Sequence, residues 1–341
     1  MMNISVIIPN NHPQHELLRV LHAVCIQTIK PCEIIIVDSA NGAGQCLEEF
    51  KLLCSNIKLT YEYRDLALPG DARNIGLEIA DGEFIAFIDV KTIPRPEWLE
   101  TSLSLIESYG VSGMWGLTSF SAESSLEALV RDSFYGLLPI KTLPGSVFRR
   151  EVIDKTGRFI EWVRAGEDTE WMLRVGVLRI PIVHSPVPLV DYVGLIGSDM
   201  KQILKKWYRN YSASRNLPHF FPQKLMLWLV LYPFLILIAF NWNYLIANWR
   251  IDSPMYIGHV TKIVAILPAF IYVFVRGLLL PIRRKVGISQ LLPVRFLAIT
   301  LVCFMADFIK AMVFSFPTRK NNQSTNNIDS LRQRMSKKHR E

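Results

Sequence analysis

The sequence predicts an α/β domain with a mainly parallel sheet, followed by C-terminal transmembrane or interfacial helices, and three observations carry the prediction. Up to about Leu217, short apolar runs alternate with amphipathic segments, which is the pattern of βαβ units. One run, Phe84-Ile85-Ala86-Phe87-Ile88, contains no polar residue and ends on Asp89, as a strand buried on both faces does. Beyond Lys224 the apolar residues come in long blocks, a length that suits membrane helices and not strands.

The elements follow in order. Ile4 to Pro9 reads as the first strand, and His15 to Thr28 as a helix whose stripe is Leu17, Leu18, Leu21, Val24 and Cys25. Glu33 to Asp38 is the second strand, Gln45 to Cys54 a helix, and Lys58 to Tyr63 the third strand. A helix starting near Gly70-Asp71 carries Ala72-Arg73-Asn74-Ile75-Gly76, and Ala80-Asp81-Gly82-Glu83 then leads into the strand that ends at Asp89. Crossovers of this kind are right-handed and lay the strands parallel. Pro96 opens a helix with Trp98, Leu99, Leu103 and Ile106 on one face. After Gly145-Ser146-Val147-Phe148 come a short helix from Arg150, a loop from Gly157 to Gly166, a helix from Glu167 and a strand from Ile180 to Ser185.

Residues 1–217 are therefore expected to form one α/β domain, 218–318 a membrane region of two to three hydrophobic helices, and 319–341 a basic, disordered tail. The hydrophobic blocks run from about Leu225 to Ala247, Ile263 to Ile282 and Leu291 to Phe316. The first has no charge and is long enough to span despite Pro233. The second is interrupted by Lys262 and Arg276 near its ends, where long cations can snorkel. The third holds Asp307 and Lys310, which are costly in hydrocarbon unless paired or at the interface. It either spans or lies along the membrane surface.

The formal net charge is +8, and its placement argues for a membrane partner and against nucleic acid. Lys201, Lys205, Lys206, Arg209, Arg215 and Lys224 precede the first block, and Arg283, Arg284 and Lys285 lie between two blocks. Bases flanking apolar segments are what an anionic inner leaflet attracts. The run Ile4 to Ile8 is too short for a signal peptide, and Cys25, Cys32, Cys46 and Cys54 have no framework spacing. Reduced thiols and a cytoplasmic α/β domain are expected.

Chemistry-bearing residues gather at predicted strand ends, where an open α/β sheet places its ligand. Taken alone, Asp38 either contacts a nucleotide or caps a turn, and Arg73 either faces a nucleotide or pairs with an acid. Asp168 is either a general base or an acid favouring the first helical turn; Trp171 stacks on a sugar or belongs to the core. As a set, Ile35 to Ser39, Ala72 to Gly76, Ala80 to Glu83, the strand ending at Asp89, Gly145 to Arg150 and Ala165 to Trp171 resemble family 2 glycosyltransferases, over roughly residues 3 to 215.

The resemblance implies a GT-A-type domain and a membrane-anchored, inverting transferase acting between a nucleotide-sugar donor and a lipid-linked or cell-envelope glycan acceptor. A polyprenyl-phosphate glycosyl transferase and a non-catalytic partner subunit are the alternatives. It assigns Pro9, Asn10, Asp38, Arg73, Asp89 and Lys91 to the donor side, Glu167 and Trp171 to the acceptor side, and the role of general base to Asp168. The family's Asp-x-Asp pair holds a divalent cation, Mg²⁺ or Mn²⁺, at the donor diphosphate; here Lys91 stands in the second acidic position. Asp89, and more remotely Asp191 where relatives carry a His, are the metal ligands the resemblance leaves, so weak metal binding is expected. Either the Lys91 ammonium takes up part of the metal's role or it points to solvent. The nearest string to the processive Gln-x-x-Arg-Trp motif, Gln202 to Trp207, is off by one residue, so no processive polymerase is implied.

Three full spans would place the basic tail opposite the α/β domain, against the positive-inside tendency. The third block is therefore expected at the interface or re-entrant, and a reporter fused after Glu341 should read as cytoplasmic. An external readout would show that the block crosses the bilayer.

Overall fold

Parallel pairing of four early strands decides the layout. The structure, a computed structural model, describes residues 3–40, 48, 49, 51, 56–195, 199–215, 217, 223–247 and 250–315. Most of the expected helix from Gln45 to Cys54, and all of the 319–341 tail, lie outside the described residues. In chain order come β1 (Ile4–Asn10), α1 (Gln14–Cys25), β2 (Glu33–Asp38), β3 (Lys58–Tyr63), α2 (Pro69–Ile79) and β4 (Phe84–Phe87). β5 (Thr92–Pro94), α3 (Trp98–Ser108), β6 (Gly113–Phe120), α4 (Ser125–Phe134) and β7 (Ile140–Arg149) follow. Next are α5 (Arg150–Thr156), α6 (Glu167–Val177), β8 (Ile182–His184), β9 (Val190–Tyr192) and α7 (Met200–Ser214).

The sheet order is β3-β2-β1-β4-β7-β6-β9-β5, with β8 beside β6. Five ladders are parallel and three antiparallel, so the sheet is mainly parallel as expected. Alternate residues of β1 and β2 feed two cores. Val6, Ile8, Ile34 and Ile36 pack on α1 and α3, whereas Ile7, Ile35 and Val37 pack on the side of Ala72, Trp171 and Val175. Burial on both faces is why these strands read as unbroken apolar runs.

Three local readings change. β4 ends at Phe87, and Asp89 lies two residues beyond it in a turn closed by Thr92 N–H donating to Asp89 O at 2.9 Å. The antiparallel β6–β7 pair, joined through α4, was not legible, because β6 contains Gly113 and Gly116, β7 contains Pro144 and Gly145, and the register shifts between Met114 and Gly116. Glycine and proline inside a strand read as breaks. The expectation of reduced thiols fails for Cys25, which is disulfide-bonded; Cys32 and Cys303 are free.

The C-terminal region begins with α8 (Gln223–Leu245) and α9 (His259–Val273). The π-helical turn Phe274–Leu279 carries α9 into α10 (Leu280–Arg283), and α11 (Ile288–Leu291) and α12 (Arg295–Ser315) follow. Among the described residues, Ala265–Arg283 and Arg295–Phe314 are helical stretches long and apolar enough to cross a membrane. Asp307 on α12 is paired: Arg276 Nη2 donates to both its oxygens, at 2.7 and 2.6 Å, and Tyr272 Oη donates at 2.9 Å. α12 also runs against the α/β domain. Arg295 Nη2 meets the buried Asp132 at 2.7 Å, Cys303 Sγ lies 3.6 Å from Ser133 O, and Lys310 Nζ sits 5.9 Å above the Tyr211 ring. The expected boundary at 217 is thus crossed by packing onto α4 and α7.

Both partners of the Arg276–Asp307 pair are about four-fifths buried, with exposures of 20% and 23%. Asp307→Leu would strand the guanidinium, and the expected cost is about 3 kcal/mol. Thermal unfolding in detergent should show a lowered midpoint for Asp307→Leu and recovery of most of it in the double variant Arg276→Met, Asp307→Leu. Equal loss in single and double variants would mean that the pair contributes nothing.

Candidate active site

The helix α2 organises the carboxyl edge of the sheet. Ala72 packs into the core, and a Cβ at Gly76 would come within 2.5 Å of the Ile7 side chain, so only glycine lets the helix lie this close to β1. Between them, Arg73 and Asn74 point to different neighbours. Asn74 Oδ1 accepts from Phe159 N–H at 2.9 Å, while Nδ2 donates to Phe159 O and Glu161 Oε1 at 3.0 and 3.1 Å. Asp71 accepts from Trp162 N–H. α2 therefore pins the 157–166 loop that leads into α6.

Arg73 is 2% exposed, and its guanidinium bridges two acids. Nη2 donates to Asp89 Oδ1 at 2.9 Å and Nη1 to Glu167 Oε1 at 2.7 Å. Burial works against the arginine's charge, but Asp89 and Glu167 outweigh it and hold the proton more firmly than in a free arginine. Burial pushes the Glu167 carboxyl up to about 7; the charge of Asp168 adds to this and Arg73 opposes it. Of the two readings of Arg73, pairing with acids is the one observed.

At the ends of β1 and β2, Asp38 is fully buried and its oxygens are in use. Oδ1 accepts from Asn10 Nδ2 at 2.7 Å and Ala40 N–H at 2.9 Å, and Oδ2 accepts from Tyr61 Oη at 2.7 Å. Asn10 Oδ1 in turn accepts from His12 N–H. Asp38 here caps the turn after β2 and braces β1, with half-buried Pro9 beside it.

α6 begins at Gly166, whose φ of +93° is open to glycine at little cost. Asp168 in its first turn is part-exposed, and its Oδ1 accepts from Thr169 N–H at 2.7 Å. Trp171 does not reach an acceptor. It is 0% exposed, its indole N–H donates to Gly157 O at 3.0 Å, and its rings stack on Phe159 and meet Phe87, Trp115 and Phe148 edge-on. The acceptor-side reading of Trp171 is corrected to core. Arg174, paired with Glu170 at 2.8 Å, donates to Thr156 O and Arg158 O and fixes the other end of the same loop.

The donor set offers a divalent cation few protein ligands. Asp89 is 35% exposed, but Oδ1 is already engaged by Arg73. Lys91 stands in the second acidic position, with Nζ donating to Gly194 O at 3.3 Å and 3.9 Å from Glu16 Oε1. Asp191 is ion-paired with Arg95 Nε at 3.3 Å. Among the described residues no three His, Cys, Asp or Glu side chains converge, so a cation at Asp89 would lean on phosphate oxygens and water, as Mg²⁺ commonly does.

Residues 5–128 match the sequence profile of Glycosyl transferase family 2. The chain carries a family 2 glycosyltransferase domain. Glycosyltransferase AglE of Haloferax volcanii is 27% identical over 184 residues, covering 50% of this chain and 60% of that protein. The UDP-Glc:alpha-D-GlcNAc-diphosphoundecaprenol beta-1,3-glucosyltransferase WfgD of Escherichia coli is 31% identical over 114 residues, 33% of this chain and 44% of that one. The mannosyltransferase PcManGT from Pyrobaculum calidifontis, solved with GDP-Man and Mn²⁺, shares the GT-A fold with a TM-score of 0.51 at 15% identity, covering 92% of this chain and 86% of that one. The chain thus spans at most 60% of the two curated relatives named here.

Within this glycosyltransferase domain three residues escaped the sequence reading. Asn74 lies within the Ala72-to-Gly76 motif, and its place one step after Arg73 aims it about 100° around the helix, toward the loop. Tyr61 pairs in register with Ile36, which puts it on the same strand face as Asp38, and the period of two was the signal available. Lys206 was counted among membrane-flanking bases, yet it lies within electrostatic reach of Lys91.

The folded value of about 7 for Glu167 lies above its ordinary 4.5, so the folded state keeps a proton that the unfolded chain releases. That stabilisation is full below the ordinary value and is lost as pH rises through about 7. Glu167→Gln is expected to flatten the fall in thermal midpoint between about pH 5 and pH 8. An unaltered slope in the variant would assign the pH dependence to another group.

Proposed function

We propose that the protein is a membrane-anchored, inverting glycosyltransferase that moves a sugar from a nucleotide-sugar to a lipid-linked or cell-envelope glycan acceptor. The observation that carries the reading is the Arg73 bridge. By joining Asp89 to Glu167, it sets the start of α6, and with it Asp168, beside the turn after β4 at the carboxyl edge of the sheet. In the proposed step an acceptor hydroxyl oxygen attacks the anomeric carbon from the face opposite the nucleoside diphosphate. The new C–O bond forms as the bond to the diphosphate oxygen breaks, the electron pair leaves with the diphosphate, and the hydroxyl proton passes to the Asp168 carboxylate.

A carboxylate suits that task because it is unprotonated at neutral pH and needs only hydrogen-bond reach. The acceptor class is supported by the names of relatives, which include a transferase acting on a diphosphoundecaprenol-linked sugar and an amylovoran biosynthesis glycosyltransferase of Erwinia amylovora. Contact of α12 with α4 and α7 along its length supports a helix lying at the membrane surface under a cytoplasmic domain.

Asp168→Asn is expected to lower transfer by about 10² to 10⁴ in rate while nucleotide affinity stays near that of the wild type. The measurement is sugar transfer from UDP- and GDP-linked donors to a membrane lipid extract, with nucleotide binding followed separately. Near-normal turnover in the variant would reduce Asp168 to a helix-start acid and remove the reading of it as base.

A further inference from the structure

The turn after β4 gathers positive charge where a metal-dependent relative would gather negative. Lys91 sits two residues beyond Asp89, and its nearest acid, Glu16, is 3.9 Å away through Oε1, with Oε2 3.0 Å from His12 Nδ1. Beyond this loose contact its one hydrogen bond among the described residues goes to the Gly194 carbonyl at 3.3 Å. From α7, Lys206 comes within electrostatic reach of both Lys91 and His12. Among the described residues no acid pairs with Lys206. Of the nearby carboxylates, Asp89 accepts from Arg73 through Oδ1 and Asp191 is paired with Arg95.

We infer that Lys91 and Lys206 form a cationic subsite that takes the diphosphate of the nucleotide-sugar in place of a divalent metal. The inference rests on the proposed transferase reading and deepens it. Two ammonium groups within electrostatic reach of each other repel, and an anion carrying two or three negative charges relieves that repulsion. A lysine is a compact point charge with three donors, so it can follow phosphate oxygens without the fixed geometry a metal needs. As the anomeric carbon–oxygen bond breaks, negative charge grows on the leaving diphosphate, and fixed cations beside it stabilise that charge. The subsite belongs to the donor: Lys91 is on the same turn as Asp89, at the carboxyl edge where β1, β2 and β4 end.

The test is isothermal titration of UDP, GDP and dTDP into the full-length protein in detergent, each in EDTA and in Mn²⁺. One of these nucleotides should bind in EDTA with nearly the affinity seen in Mn²⁺. Lys91→Ala should weaken that binding about 10- to 100-fold, the loss expected for a hydrogen bond to a charged group, and Lys206→Ala should weaken it in the same direction. Lys91→Asp should abolish binding in EDTA and restore it in Mn²⁺, which also shows that the variant is folded. Binding only in Mn²⁺, with Lys91→Ala harmless, overturns the inference and leaves the transferase reading standing. Weakened binding of farnesyl diphosphate with unchanged nucleotide binding in Lys91→Ala overturns it too, because the cations would then serve an acceptor. Absence of binding by all three nucleotides in both conditions sinks the transferase reading and the inference with it.

Discussion

A buried guanidinium holds this site together. Arg73 is enclosed on α2 and satisfied by one acid from the turn after β4 and another from the first turn of α6, so three elements far apart in sequence converge on one cation. A charge this deep is tolerated only while its partners stay, and losing one typically costs about 3–5 kcal/mol. The aromatic cluster beneath it, where Phe159 lies 5.6 Å under the guanidinium and Trp171 stacks on Phe159, keeps water away from the pair. The position of Asp168 thus follows from Arg73, one residue on from Glu167.

The same bridge limits what Asp89 can do. A carboxylate that already accepts a charge-assisted hydrogen bond is oriented, and its remaining capacity as a metal ligand is reduced. Two acids share one arginine, so the group carries excess negative charge, and burial resolves part of this by raising the Glu167 pKa toward neutrality. The surplus lies on the α6 side. The opposite side, with Lys91, Lys206 and the more distant Arg209, is positive. On the proposed reading, a site polarised this way would set an acceptor-side base apart from a donor-side cationic subsite.

Much of the fold was legible because its first half obeys simple periodicities. β1, β2 and β3 and the helices α1, α2 and α6 appear within a few residues of the expected bounds, each marked by an apolar run or stripe. β6 and β7 were not legible because glycine and proline interrupt them, and their pairing depends on partners distant in sequence. At the site, sequence found which residues gather but not which way each faces. Asp38 and Arg73 sit where expected, yet both are enclosed by protein donors or acceptors, because a polar group at a strand end or inside a helix packed on a sheet must be satisfied whatever else it does. Trp171 lies on the inward face of α6, and no pattern over so short a motif separates stacking from core.

The C-terminal apolar helices reach the α/β domain through α4. That helix is N-capped by Ser124, carries the buried Asp132 that meets Arg295, and ends where Ser133 O accepts from Arg284 at 2.8 Å. Two arginines from the hydrophobic region therefore seize one end of a helix in the α/β domain, while Lys310 reaches Tyr211 on α7. α7 is also the helix that brings Lys206 toward the turn after β4. α12 packs against α7, so the place of Lys206 depends on the C-terminal helices, whereas Lys91 is anchored to the sheet side, Val193 N–H donating to Lys91 O at 2.9 Å. The two lysines are therefore positioned by different parts of the fold.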